Sequence, residues 1–154
     1  MQACSSCHSL TKVNLSEGLE ILNNSVFFNC SELREIKLPS TLKEIGPRAF
    51  SGAALNNVVL PDSGKLTKID EYAFYQSREL TDITIPACIT SIPDNVFAEC
   101  SKEVTIHGAS GSYAQSYAKK NNLKFKADLN SSSTKTTKAT KATKASGKAA
   151  EKAE

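Results

Sequence analysis

The sequence has no tryptophan and one methionine, and aromatic residues make up only 6% of it. With 40% hydrophobic residues, burial has to come from leucine, isoleucine and valine rather than from large rings. Histidine occurs twice, as His8 and His107 near opposite ends, and neither stands in a Ser-His-Asp or Cys-His arrangement at catalytic spacing. GxGxxG, phosphate-loop and HExxH motifs are missing, and the carboxylates are scattered rather than paired. A non-catalytic chain without a cofactor is expected. No stretch approaches the roughly 20 apolar residues of a membrane span. No charged-then-apolar leader opens the chain.

Cysteine is present but odd in number: 4, 7, 30, 88 and 100. Five thiols without paired spacing do not describe a disulfide framework. Charge is nearly balanced over most of the chain. Residues 130–154 hold six lysines and two glutamates, a net of +4. Since the whole chain carries +3, the first 129 residues stand at −1. That segment has no apolar side chain larger than alanine and is expected to be disordered. It reads as a solvated stalk, or as an electrostatic anchor to an anionic polymer. Specific nucleic-acid recognition is not expected, because the folded part is not basic and the tail lacks interleaved aromatics.

What the chain does have is a repeat. The small-Phe pairs Val26-Phe27, Ala49-Phe50, Ala73-Phe74 and Val96-Phe97 put phenylalanines 23, 24 and 23 residues apart. One period earlier stands Ala3-Cys4, with Cys in the Phe slot. Each period contains an alternating triplet: Val13-Asn14-Leu15, Ile36-Lys37-Leu38, Val58-Val59-Leu60, Ile83-Thr84-Ile85 and Val104-Thr105-Ile106. Period-two alternation is the signature of a half-buried strand. Pro39, Pro61 and Pro86 follow three of them and end the ladder, since proline donates no backbone hydrogen bond. A second apolar pair follows: Leu42/Ile45, Leu66/Ile69, Ile89/Ile92, and in the first repeat Leu19/Ile21. The third period has one residue fewer before its leucine and two more after its proline, as loops tolerate. One period alone cannot bury these residues; stacked coils can.

LREIKLPSTLKEIGPRAF at 33–50 is the clearest period, and over roughly residues 4–106 the chain resembles the BspA-like class of leucine-rich repeats. The resemblance implies an α+β repeat: a leucine-rich-repeat solenoid with parallel strands and a period of about 23 residues. It also implies a bacterial surface or secreted protein, located outside the cell, that adheres to host proteins, matrix or other cells. HGASGSYAQSYAKKNNLKF at 107–125 is similar to segments that close such arrays, so 107–129 is expected to be a helix-strand cap. Ser112 would be the helix N-cap, and Leu123-Lys124-Phe125 the last strand. The organisation is then 1–106 repeats, 107–129 cap and 130–154 tail. The first period starts within six residues of Met1 without a polar cap, as in a piece of a longer array or an end that another chain covers.

CxxCH at Cys4–His8 is the spacing of c-type haem attachment. The repeat supplies a competing explanation. Cys4 is the Phe-slot occupant, and Cys7 falls where Cys30, Ala53, Ser77 and Cys100 also fall, a slot that wants a small residue. Cys88 aligns with the loop residue Thr41 and is expected to be the exposed, reactive thiol.

Binding is expected on the outward residues of the strands. One row reads Asn14, Lys37, Val59, Thr84 and Thr105; its neighbour reads Lys12, Glu35, Asn57 and Asp82. The partner would be a protein or a glycan, the other reading being a spacer that holds another domain away from a wall. Phe28, Tyr72 and Tyr75 lie outside the slots on the opposite side, as a second patch or as loop packing.

Overall fold

The computed structural model describes residues 4–101 and 103–129; the Lys-rich tail lies outside the described residues. The chain coils as a parallel-strand solenoid. In order come β1 (Lys12–Asn14), β2 (Ile21–Leu22), β3 (Glu35–Lys37), β4 (Glu44–Ile45), β5 (Asn57–Val59), β6 (Lys68–Ile69), β7 (Asp82–Thr84), β8 (Thr105–Ala109), α1 (Tyr113–Lys120) and β9 (Lys124–Leu129).

The triplets form the front ladder. Their inward residues Val58, Ile83 and Ile106 are fully buried, while Asn57 and Val59 beside Val58 face out. A second parallel ladder, β2-β4-β6, runs along the side. It uses two residues per coil, too few for periodicity to reveal. Its register pairs Leu22 with Ile45, so Leu22 takes the inward slot at 2% exposure and Ile21 turns outward at 47%. The first coil therefore has Leu19/Leu22 at the same i, i+3 spacing as the others, not Leu19/Ile21. Gly46 follows β4 because a Cβ there would meet the Leu22 carbonyl oxygen at 2.6 Å.

The third side is a hydrogen-bonded turn. Phe27, Phe50 and Phe74 each donate a backbone N–H to the small residue one coil on, at 2.8, 2.8 and 3.1 Å. Cys4 makes the same bond to Val26. Residues two before or two after the slot hold positive φ in most coils: Ser25, Arg48 and Tyr72 before; Ser6, Asn29, Gly52, Gln76 and Glu99 after. Left-handed residues aim alternate amides at the next coil, as in Asn29 to Ser51 and Gln76 to Ala98.

Aromatics contribute more to the core than their number suggests. Phe27, Phe50, Phe74 and Phe97 stack with centroids 5.5, 5.2 and 5.6 Å apart, and Tyr117 of α1 closes the column edge-on, 6.0 Å from Phe97. A single ring per coil suffices because each stacks on the next, and the inner ones are sandwiched between two. The small slot is a donor slot as well: Cys30, Ser77 and Cys100 give their hydrogen to the carbonyl of the previous Phe-slot residue, at 3.0, 3.0 and 2.8 Å.

Helix α1 starts after Ser112, whose hydroxyl makes no cap hydrogen bond; Gln115 instead accepts from the Gly111 N–H at 2.7 Å. Strand β9 starts at Lys124 and runs parallel to β8, extending the front ladder by one rung.

Candidate functional site on the strand face

Front-strand register sets the two outward rows. Lys12 pairs with Glu35 and Asn14 with Lys37; Asn57 pairs with Asp82 and Val59 with Thr84. At β8 the sequence-based row shifts. Thr105 lies opposite Asp82, and His107 opposite Thr84. Thr105 therefore belongs to the row of Lys12, Glu35, Asn57 and Asp82, and His107 takes the place expected for Thr105. The spacing explains it: Phe97 to Ile106 is nine residues, like Phe27 to Ile36 and Phe74 to Ile83. The inward slot is thus Ile106, not Val104.

The front ladder is not continuous. β1 pairs with β3, and β5, β7, β8 and β9 form one sheet, but β3 and β5 lie side by side without pairing. Leu15, Leu60 and Ile85 each donate a backbone N–H to the next coil, whereas their counterpart Leu38 donates to no backbone acceptor among the described residues. The opening coincides with the third period's missing residue, since Phe50 to Val58 is only eight residues. The side ladder stays paired through it, β4 with β6.

Two adjoining clefts lie over this opening. One, of about 310 Å³, is lined by Lys12, Asn14, Glu35, Lys37, Asn57, Val59 and Ile36. The other, of about 410 Å³, shares Ile36, Lys37 and Val59 and adds Thr84 and Asp62 with the apolar Leu38, Leu60, Pro61 and Pro86. Seven of the nine expected contact residues thus converge. Val59 is 60% exposed, the most exposed large hydrophobic among the described residues. Lys12 and Glu35 pair at 2.5 Å across the coils.

Asp82 and Thr105 line neither cleft. Asp82 is held by His107, whose Nε2 is 2.8 Å from its Oδ1, and His107 Nδ1 faces Asp128. The hydrogen bonds to Asp128 and then Asp82 raise the imidazole above its ordinary value, and His107 in turn holds both carboxyls below theirs. Sequence reasoning missed this group because it assigns His107 to the cap after the last repeat.

The cysteines are free thiols. Cys88 is half-buried and its thiol points at the Leu66 carbonyl 3.7 Å away, with burial pushing its pKa up, which corrects the expectation of an exposed, reactive thiol. Burial pushes the Cys100 thiol up to about 11. His8 meets Ser31 one coil on, at 3.2 Å. No group of three or more potential metal ligands occurs among the described residues.

Residues 1–135 match the family described as BspA type leucine-rich repeat region, in six copies. The chain belongs to that family. Solved structures share its fold. A leucine-rich repeat protein of Bacteroides ovatus is 21% identical over 68% of this chain and 27% of its own, with a TM-score of 0.53. A leucine-rich cell surface protein of Faecalibacterium prausnitzii is 23% identical over 70% and 34%, at 0.57. The pneumococcal vaccine antigen PcpA is 21% identical over 78% and 36%, at 0.58. The chain spans about a third of the length of these proteins. No curated protein matches it in sequence. No helix among the described residues is long and apolar enough to cross a membrane.

Proposed function

We propose that the chain is a non-catalytic protein-recognition module of a bacterial cell-surface or secreted protein, gripping its partner by the strand face around Lys37 and Val59. The observation that carries this is the pair of clefts sharing those two residues over the opening between β3 and β5. An exposed apolar residue inside a rim of Lys, Glu and Asn is the composition of an interface centre with a polar rim. The face lacks the Trp, Tyr and Arg anchors of tight interfaces, so affinity per module is modest and a longer array adds avidity. A surface location is supported by the name of the F. prausnitzii protein. On this reading 107–129 is the segment that closes the array.

The test is binding of the full chain to a panel of purified extracellular-matrix proteins. A Glu35→Ala/Lys37→Ala/Val59→Ser variant is expected to lose about tenfold or more in affinity with an unchanged circular-dichroism spectrum. Undiminished binding would remove the strand face from consideration. If a peptide of residues 130–154 binds as well as the full chain, and salt abolishes it, the solenoid is a spacer and the lysines are the functional element.

A further inference from the structure

The turn side carries a larger cleft, of about 520 Å³, whose lining includes Phe28, Arg48, Tyr72, Tyr75, Gln76 and Glu99. Phe28 and Tyr75 stand two coils apart in one column, with the small Ser51 between them. The Tyr72 and Tyr75 rings are perpendicular with centroids 5.5 Å apart, and the Arg48 guanidinium lies 5.5 Å over Tyr72.

Three observations separate this patch from loop packing. Four of its members, Arg48, Tyr72, Gln76 and Glu99, hold φ between 54° and 58°. In the same two slots other coils place Ser6, Ser25, Asn29 and Gly52, all smaller side chains, and Asn29 and Gly52 are types suited to that backbone. Large side chains thus occupy strained positions where smaller ones serve elsewhere, and together they line one cleft. Second, several charged side chains elsewhere pair from coil to coil, as in Lys43–Glu20, Lys68–Glu44 and Lys120–Asp94, while Lys65, Arg78 and Glu79, like two members of this cleft, stay outside the ion pairs of the described residues. Arg48 and Glu99 have no ion-pair partner among the described residues. Third, the backbone amides of Arg48, Gly52 and Gln76 are spent on the next coil. A ligand here is read by side chains, and no strand edge is offered to an extended peptide.

Ring faces beside planar polar side chains are the chemistry that recognises a pyranose: C–H faces stack on tyrosine, and vicinal hydroxyls take the two-pronged bonds of guanidinium, amide and carboxylate. One arginine against one glutamate leaves the cleft without net charge. The phenylalanine stack advances 5.2–5.6 Å per coil, so Phe28 and Tyr75 are roughly 10 Å apart along the array, as the spacing of two parallel rungs requires. A six-membered ring is small enough to enter a gap of that size. We propose that the turn side is a carbohydrate-binding site for neutral pyranose chains, separate from the strand face.

The experiment prints neutral glucan, mannan, galactan and N-acetylglucosamine oligosaccharides as an array. It probes them with the full chain and its Tyr75→Ser, Tyr72→Asn and Gln76→Gly variants, and melts each protein. Retention of one of these glycans is expected, with a loss of about tenfold on removing either tyrosine ring. Gln76→Gly is expected to melt a few degrees higher while binding less, because it relieves a left-handed position. A packing role would lower melting and binding together. That result overturns the proposal. So does failure to retain any printed neutral glycan, or capture of a proline decapeptide at this cleft instead.

Discussion

At the scale of single residues, His107 shows how a solenoid turns an outward row into a network. The imidazole bridges Asp82 of one coil and Asp128 of the last strand, with Lys126 3.8 Å from Asp128. Its pKa is raised in the folded chain. The stabilisation is therefore complete below the unfolded value of about 6.5 and is lost as pH rises through the folded one. The two aspartates are lowered, so their share is present above about 3.9 and fades as pH falls through their folded values. Melting temperature is expected to fall by a few degrees between pH 6 and pH 9, and the slope to flatten in His107→Gln. A parent chain with a flat profile over that range would contradict the bridge. Most inward residues were legible, because alternation marks them. Ile21 and Thr105 were misplaced for a common reason. At both places the sequence offers two candidates one or two residues apart, and only the register with the neighbouring coil decides between them.

At the scale of elements, the coils are held by repeated columns, and the phenylalanine stack is the heaviest of them. Phe50 is fully buried and sandwiched between Phe27 and Phe74. Phe50→Ala is expected to cost about 3–5 kcal/mol, measured by urea unfolding, and to destabilise both neighbouring coils. Phe27 has a ring neighbour on one side only, since Cys4 fills the preceding slot, and Phe27→Ala is expected to cost less. Equal costs would mean that the stack contributes burial alone. The column was legible as a spacing of 23 or 24 residues, though its weight in the core was not. The side ladder was invisible because two-residue strands have no period. The left-handed turns were hidden because Ser, Arg, Tyr, Gln and Glu fill most of them, and only Asn29 and Gly52 are residues that announce such a turn.

At the scale of the whole molecule, one missing residue in the third period reorganises the front. The deletion was visible, but it read as loop variation, whereas it falls on the approach to β5. The side ladder carries the stacking across the opening, so the array continues while its face parts between β3 and β5. That parting gathers Lys37 and Val59 into adjoining clefts, and it leaves a marker in the Leu38 amide. The most direct measurement is hydrogen exchange at Leu38, Leu15, Leu60 and Ile85, with and without the matrix protein that binds most tightly. Leu38 is expected to exchange fastest of the four in the free chain, and to gain the most protection when the partner covers the strand face. Leu38 as slow as its counterparts in the free chain, or unchanged by a bound partner, would contradict the opening or its role in recognition.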